Sequence, residues 1–136
     1  MLSLVNDYLQ DKDDILVLLT EENKKKFRRY KQYKLSECYD KTWYNNVTNL
    51  FWNIPEIPLN FKFPRALKKI VFHDKFNQTV NNLPSNITHL TFGEKFNQPI
   101  DNLPSNITHL TFGKKFNQTV DNLPSNITHL TIGYYF

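Results

Sequence analysis

The chain has 136 residues, 40% of them hydrophobic and 22% charged, with a formal net charge of +4 at pH 7. That size makes one domain, or a repeat array with a short appendage. The single cysteine, Cys38, excludes an internal disulfide framework and a cysteine-built zinc cage, and no apolar run reaches the roughly 18 residues of a membrane span.

In chain order, the opening MLSLVNDYLQDKDD lacks a basic start and a long apolar core. No secretory signal is expected, so the reading is an intracellular, cytoplasmic protein. Residues 1–42 share no pattern with the rest and are read as a helical N-terminal segment. Much of the positive charge sits in EENKKKFRRYKQYK, residues 21–34. Its plainest reading is a solvated helix face. The alternative is weak nucleic-acid binding through residues 24–34, where Lys and Arg interleave with Phe27, Tyr30 and Tyr33. Nothing comparable recurs downstream, so nucleic acid is not the favoured partner.

From residue 43 onward a 20-residue period takes over. LPSNITHLTFGEKFNQPIDN begins at Leu83, LPSNITHLTFGKKFNQTVDN at Leu103, and LPSNITHLTIGYYF at Leu123. Upstream, Phe63, Pro64, Leu67, Ile70, Phe72 and Phe76 fall in the slots of Leu83, Pro84, Ile87, Leu90, Phe92 and Phe96. One period earlier only Val47, Leu50 and Trp52 fit. The coils are therefore 43–62 (degenerate), 63–82, 83–102, 103–122 and 123–136 (truncated). A fixed short period means a solenoid in which each unit buries its apolar side only against its neighbours.

Within a coil, strand alternation sends Leu90 and Phe92 inward and His89, Thr91 and Gly93 outward. Stacked coils set such strands parallel, and Gly93, Gly113 and Gly133 permit a sharp bend after each. Pro84, Pro104 and Pro124 disfavour a return helix, so irregular or 3₁₀ turns are expected opposite the strands. The expected fold is an α+β solenoid: about five coils, one parallel sheet, and the short helical segment at the N-terminus.

Two outward columns form the candidate partner-binding face. Asn49 precedes Lys69, His89, His109 and His129 in one, and Phe51 precedes Val71, Thr91, Thr111 and Thr131 in the other. Three stacked histidines suggest a metal site or a pH switch, but neither column carries a carboxylate to complete a shell. The preferred reading is a polar patch, uncharged at neutral pH, with no metal and no cofactor. Asn77, Asn97 and Asn117 form a structural column, read as an internal amide ladder that satisfies backbone groups at the coil bends. Asn86, Asn106 and Asn126 are read as turn residues. No catalytic constellation is visible: Ser85, Ser105 and Ser125 sit beside prolines without a distinct base, and Asp101 and Asp121 look like solvated turns. The chain ends Ile132-Gly133-Tyr134-Tyr135-Phe136 without a polar capping unit. Partial fold-back of Tyr134 and Tyr135 over Leu130 and Ile132, with weak self-association through this edge, is expected.

The stretch FNQPIDNLPSNITHLTFG resembles the FNIP repeat family, a branch of leucine-rich repeats known from social amoebae and large amoeba-infecting viruses. The resemblance covers residues 63–136 closely and 43–62 faintly, with FNQP at Phe96 and FNQT at Phe76 and Phe116 in place of the namesake motif. It implies a non-enzymatic protein–protein interaction module, in host cytoplasm if viral, binding an unidentified protein through its repeats. Several family members begin with an F-box, a helical module that docks on the Skp-type linker of cullin ubiquitin ligases. VNDYLQDKDDILVLLTEENKKKFRRY resembles its later part: Tyr8-Leu9 and Asp11 through Asp14 the turn, Ile15 to Leu19 the apolar helix, Asn23 to Arg29 the basic-aromatic end. The opening Leu-Pro and much of the first helix are absent. The implied alternative function is a substrate adaptor for ubiquitin ligation; the plainer reading is a helical cap for the first coil.

Overall fold

The computed structural model describes residues 15–19, 32–34, 44–52, 55–57 and 61–133. Among these residues the chain forms β1 (Ile15–Leu19), β2 (Gln32–Lys34), a 3₁₀ turn (Tyr44–Asn46), β3 (Asn49–Trp52), β4 (Lys69–Phe72), β5 (His89–Thr91), β6 (His109–Thr111) and β7 (His129–Thr131). They make one sheet in the order β2-β1-β3-β4-β5-β6-β7. From β3 to β7 every pairing is parallel and in strict 20-residue register, as in Leu50↔Ile70, Ile70↔Leu90 and Leu90↔Leu110. The five parallel strands bound about four turns of a leucine-rich-repeat-like solenoid.

The repeat builds its core by stacking like on like. Val47, Leu67, Ile87 and Ile107 form one buried file, and Leu50, Ile70, Leu90 and Leu110 another. Behind them stand two files of phenylalanines. Phe72, Phe92 and Phe112 stack with ring centroids 5.4 and 5.5 Å apart, and Phe76, Phe96 and Phe116 at 6.3 and 6.2 Å. The two files interlock within each coil, Phe92 on Phe96 and Phe112 on Phe116 at 3.8 Å. Near-parallel rings at such spacings bury area and add offset stacking, while removing any one leaves a gap its neighbours cannot close. Trp52 ends the first file, edge-on to Phe61 at 4.8 Å. On the return side the described residues form turns and irregular chain, with no helix.

Several expectations are corrected. Ile15–Leu19 is a strand, not the apolar helix of an F-box-like segment. It pairs antiparallel with β3 (Leu16↔Trp52, Leu18↔Leu50) and with β2 (Ile15↔Lys34, Val17↔Gln32). A five-residue apolar run fits a buried strand as well as a helix, and the open edge of β3 decides it. Gln32–Lys34 likewise ends the basic run as a strand rather than a helix face. The fold is thus a β-solenoid with a mixed sheet rather than an α+β array with a helical N-terminal segment; the remainder of 1–42 lies outside the described residues. The glycines, too, have another reason than a sharp bend. A Cβ on Gly113 would run into the carbonyl of Gly93, and one on Gly133 into that of Gly113. Close backbone approach between coils demands the missing side chain.

Candidate functional site

Parallel register gathers the outward residues into two files on one sheet face. Lys69, His89, His109 and His129 are successive Cα partners, as are Val71, Thr91, Thr111 and Thr131. Val71, His89, Thr91, His109 and Thr111 are half-buried, while Lys69, His129 and Thr131 are exposed. Phe51 prolongs the second file across β3, edge-on to His73 at 6.5 Å, and Val17 of β1 is its register partner.

The imidazoles stack. His89 and His109 lie 4.2 Å apart at 12°, and His109 and His129 4.2 Å apart at 6°. What holds them is a residue that the outward-facing pattern omits, the threonine just before each strand. Nδ1 of His109 lies 2.9 Å from the Thr108 hydroxyl, which is 3.1 Å from the Thr88 carbonyl one coil below. His129, Thr128 and Thr108 repeat this geometry, and His89, Thr88 and Lys68 repeat it with 3.3 Å to the carbonyl. The hydroxyl has one proton and can accept as well as donate. When the ring is protonated, Nδ1–H donates to the hydroxyl, and the hydroxyl proton goes to the carbonyl. The support therefore survives a change of charge. No described residue hydrogen-bonds Nε2. The recurring THLT string carried this signal, but only the coil-to-coil register places the hydroxyl against the carbonyl below. Thr48, at the first coil, has a buried hydroxyl with no hydrogen-bond partner among the described residues, and Asn49 stands where the later coils carry the histidine.

Burial lowers the basicity of His89 below the usual histidine range, and the neighbouring His109, Lys69 and His129 lower it further. No carboxylate contributes in the other direction.

The asparagine files run elsewhere on the coil. Asn77 Oδ1 accepts the backbone N–H of Asn97 at 2.8 Å, and Asn97 Oδ1 that of Asn117 at 2.8 Å. Gln98 and Gln118 donate to the same oxygens at 3.2 and 3.0 Å. The rungs stand at the surface, with Asn77 and Asn117 exposed and Asn97 half-buried, rather than inside the array. A second ladder arises where only turn residues were expected. Asn86 donates to the Leu67 and Arg65 carbonyls, Asn106 to Ser85 and Asn126 to Ser105, at 2.7 to 2.9 Å.

Among the described residues, no group of three or more His, Cys, Asp or Glu is placed to hold a metal ion. An open groove of about 680 Å³ lies between Ile57, Phe61 and Phe63 and the amides Gln78, Asn81, Asn82 and Gln98. It is lined by none of the strand residues. No helix among the described residues is long and apolar enough to cross a membrane. The fold-back expected of Tyr134 and Tyr135 falls outside the described residues.

The family model described as FNIP Repeat matches residues 58–95, 79–115 and 96–135, more than half of the chain. The crystal structure of CroV588, a circular leucine-rich-repeat protein from a giant virus, is similar with a TM-score of 0.61 and 38% identity. The similarity covers 68% of this chain, which spans 15% of the length of that one. No curated protein matches.

Proposed function

The chain belongs to the FNIP repeat family, and on that premise we propose that it is a non-enzymatic protein-interaction module whose strand face binds a protein partner. One observation carries the reading. The two outward files form a half-exposed face of hydrogen-bonding side chains, fixed from behind by a continuous core and from the side by coil-to-coil hydrogen bonds. Residues held on rigid strands present a preorganised surface, which lowers the entropy lost on association. The face is small. Four strand spacings of about 4.8 Å and a depth of about 10 Å give about 200 Å², against about 800 Å² for each side of a standard interface. Partner contact therefore extends onto flanking loops, or binding is weak. A cytoplasmic setting is part of this proposal, and imaging of the tagged chain tests it.

Affinity capture from host extract tests the face itself. Thr111→Arg puts a bulky cation into its centre, while Lys115→Glu alters an exposed turn as a control. Capture of a partner that is lost in Thr111→Arg and kept in the control supports the reading. Capture indifferent to Thr111→Arg overturns it. Recovery of a Skp-type linker would instead favour ubiquitin-ligase adaptation, a role for which Ile15–Leu19 lacks the expected helix.

A further inference from the structure

The file Lys69-His89-His109-His129 is unusual in how charge can enter it. The three rings stack face to face at 4.2 Å, and each is backed at Nδ1 by a threonine hydroxyl that serves the neutral ring and the cation alike. No described residue hydrogen-bonds Nε2, the ring atom that a ligand would meet. In the second file stand Val71, Thr91, Thr111 and Thr131, none of them charged. Among the described residues of β3 to β7, the charged and titratable groups on the face of the stack are Lys69 of β4 and the histidines of β5, β6 and β7 themselves. All are basic, and none of the described strand positions on this face carries Asp or Glu.

Two adjacent imidazolium ions at stacking distance repel one another, and Lys69 adds to the repulsion. An anion seated across neighbouring rings offsets that repulsion and favours their charged forms. A carboxylate suits this role. It has two oxygens, each able to accept, so it can bridge the Nε2–H groups of two neighbouring rings as a charge-assisted contact. An extended acidic segment could place successive carboxylates along the file.

Resting on the strand-face reading above, we propose that this face recognises an acidic segment of its protein partner, and that binding takes up protons into the histidine file. Affinity then rises as pH falls through the histidine range. By linkage, each proton taken up on binding strengthens it by up to about tenfold per pH unit of acidification between the bound-state titration and the lower free-state one, below which the affinity levels off. Glutamate, with an ordinary pKa of about 4.3, stays ionised across that range.

A fluorescent hexaglutamate peptide is the probe, titrated into the full chain by anisotropy at low salt. Circular dichroism at each pH confirms that the chain is folded. Between about pH 7.5 and about pH 5.5 the affinity is expected to rise about tenfold or more. His109→Asn, which installs the residue the same file carries at Asn49, is expected to reduce that rise to less than about threefold. Calorimetry in buffers of different ionisation enthalpy should register net proton uptake by the intact chain. A pH-independent affinity, or an unchanged pH dependence in His109→Asn, overturns the proposal. So does tighter binding of a single-stranded oligouridine RNA with the same pH dependence, which would reassign the face to phosphates. These failures leave the protein-binding reading standing if Thr111→Arg still abolishes partner capture; if capture ignores Thr111→Arg, that reading fails on its own.

Discussion

His89 shows how one side chain feels its whole file. Its basicity is depressed by burial first, and then by His109, Lys69 and His129. The unfolded chain, with a histidine near 6.5, binds that proton before the folded chain does. Stability is therefore full above this value and declines as pH falls below it toward the lowered folded-state value. Acidifying from about pH 7.5 to about pH 5.5 should lower the Tm without added anion, and His89→Asn should flatten the decline. Equal slopes in the two proteins would show that His89 is not responsible. The same rings make poor chelators. Parallel stacking aims their Nε2 lone pairs side by side rather than at one point, and a tetrahedral zinc site needs convergent donors. Added zinc should leave the Tm unchanged; a rise that disappears in His109→Ala would establish a metal site.

At the scale of the element, each coil is a short strand and a long return held by its two neighbours. Three-residue strands carry few ladder bonds, so the phenylalanine files and the amide ladders supply much of the adhesion between coils. Phe112 is 2% exposed and touches Phe92, Phe96 and Phe116. Phe112→Ala should cost about 3–5 kcal/mol, because a rigid stack collapses poorly around the gap. A loss below about 1 kcal/mol in urea unfolding would mean the coils slide to fill it. The strands were legible in the sequence because Leu90 and Phe92 alternate with His89 and Thr91 at a fixed period. The fate of Ile15–Leu19 was not, since apolar runs of five fit either structure until an edge is offered.

In the whole molecule the two ends differ. At the N-terminal end β1 and β2 continue the sheet antiparallel beyond β3, which covers the first strand's edge. Val17 lies in the middle of β1, pairing with Phe51 on one side and Gln32 on the other. Val17→Pro removes a ladder donor from an interior strand and should lower the Tm sharply. An unaltered melting curve would show that β1 does not cap the array. Toward the other end, Ile107, Leu110 and Phe112 are buried, but Leu130 is 43% exposed and Ile127 and Ile132 only half-buried. An apolar edge strand is a template for another chain. Sedimentation of the 136-residue chain should reveal weak, concentration-dependent association, reduced by Leu130→Lys. A strictly monomeric chain at every concentration would remove this edge from the account.

The sequence by itself determined the coil length, the inward and outward strand positions, the turn-rich return and the family. All of these follow from local alternation repeated at a fixed spacing. Tertiary structure alone decided the rest. Whether Ile15–Leu19 coils or extends depends on the free edge of β3. The need for glycine at 113 and 133 comes from a backbone one period away. The grip of Thr108 on His109 exists only because the Thr88 carbonyl lies directly beneath it. Contacts between coils join residues about 20 positions apart, and a residue's local neighbours carry no mark of what the next coil will offer it.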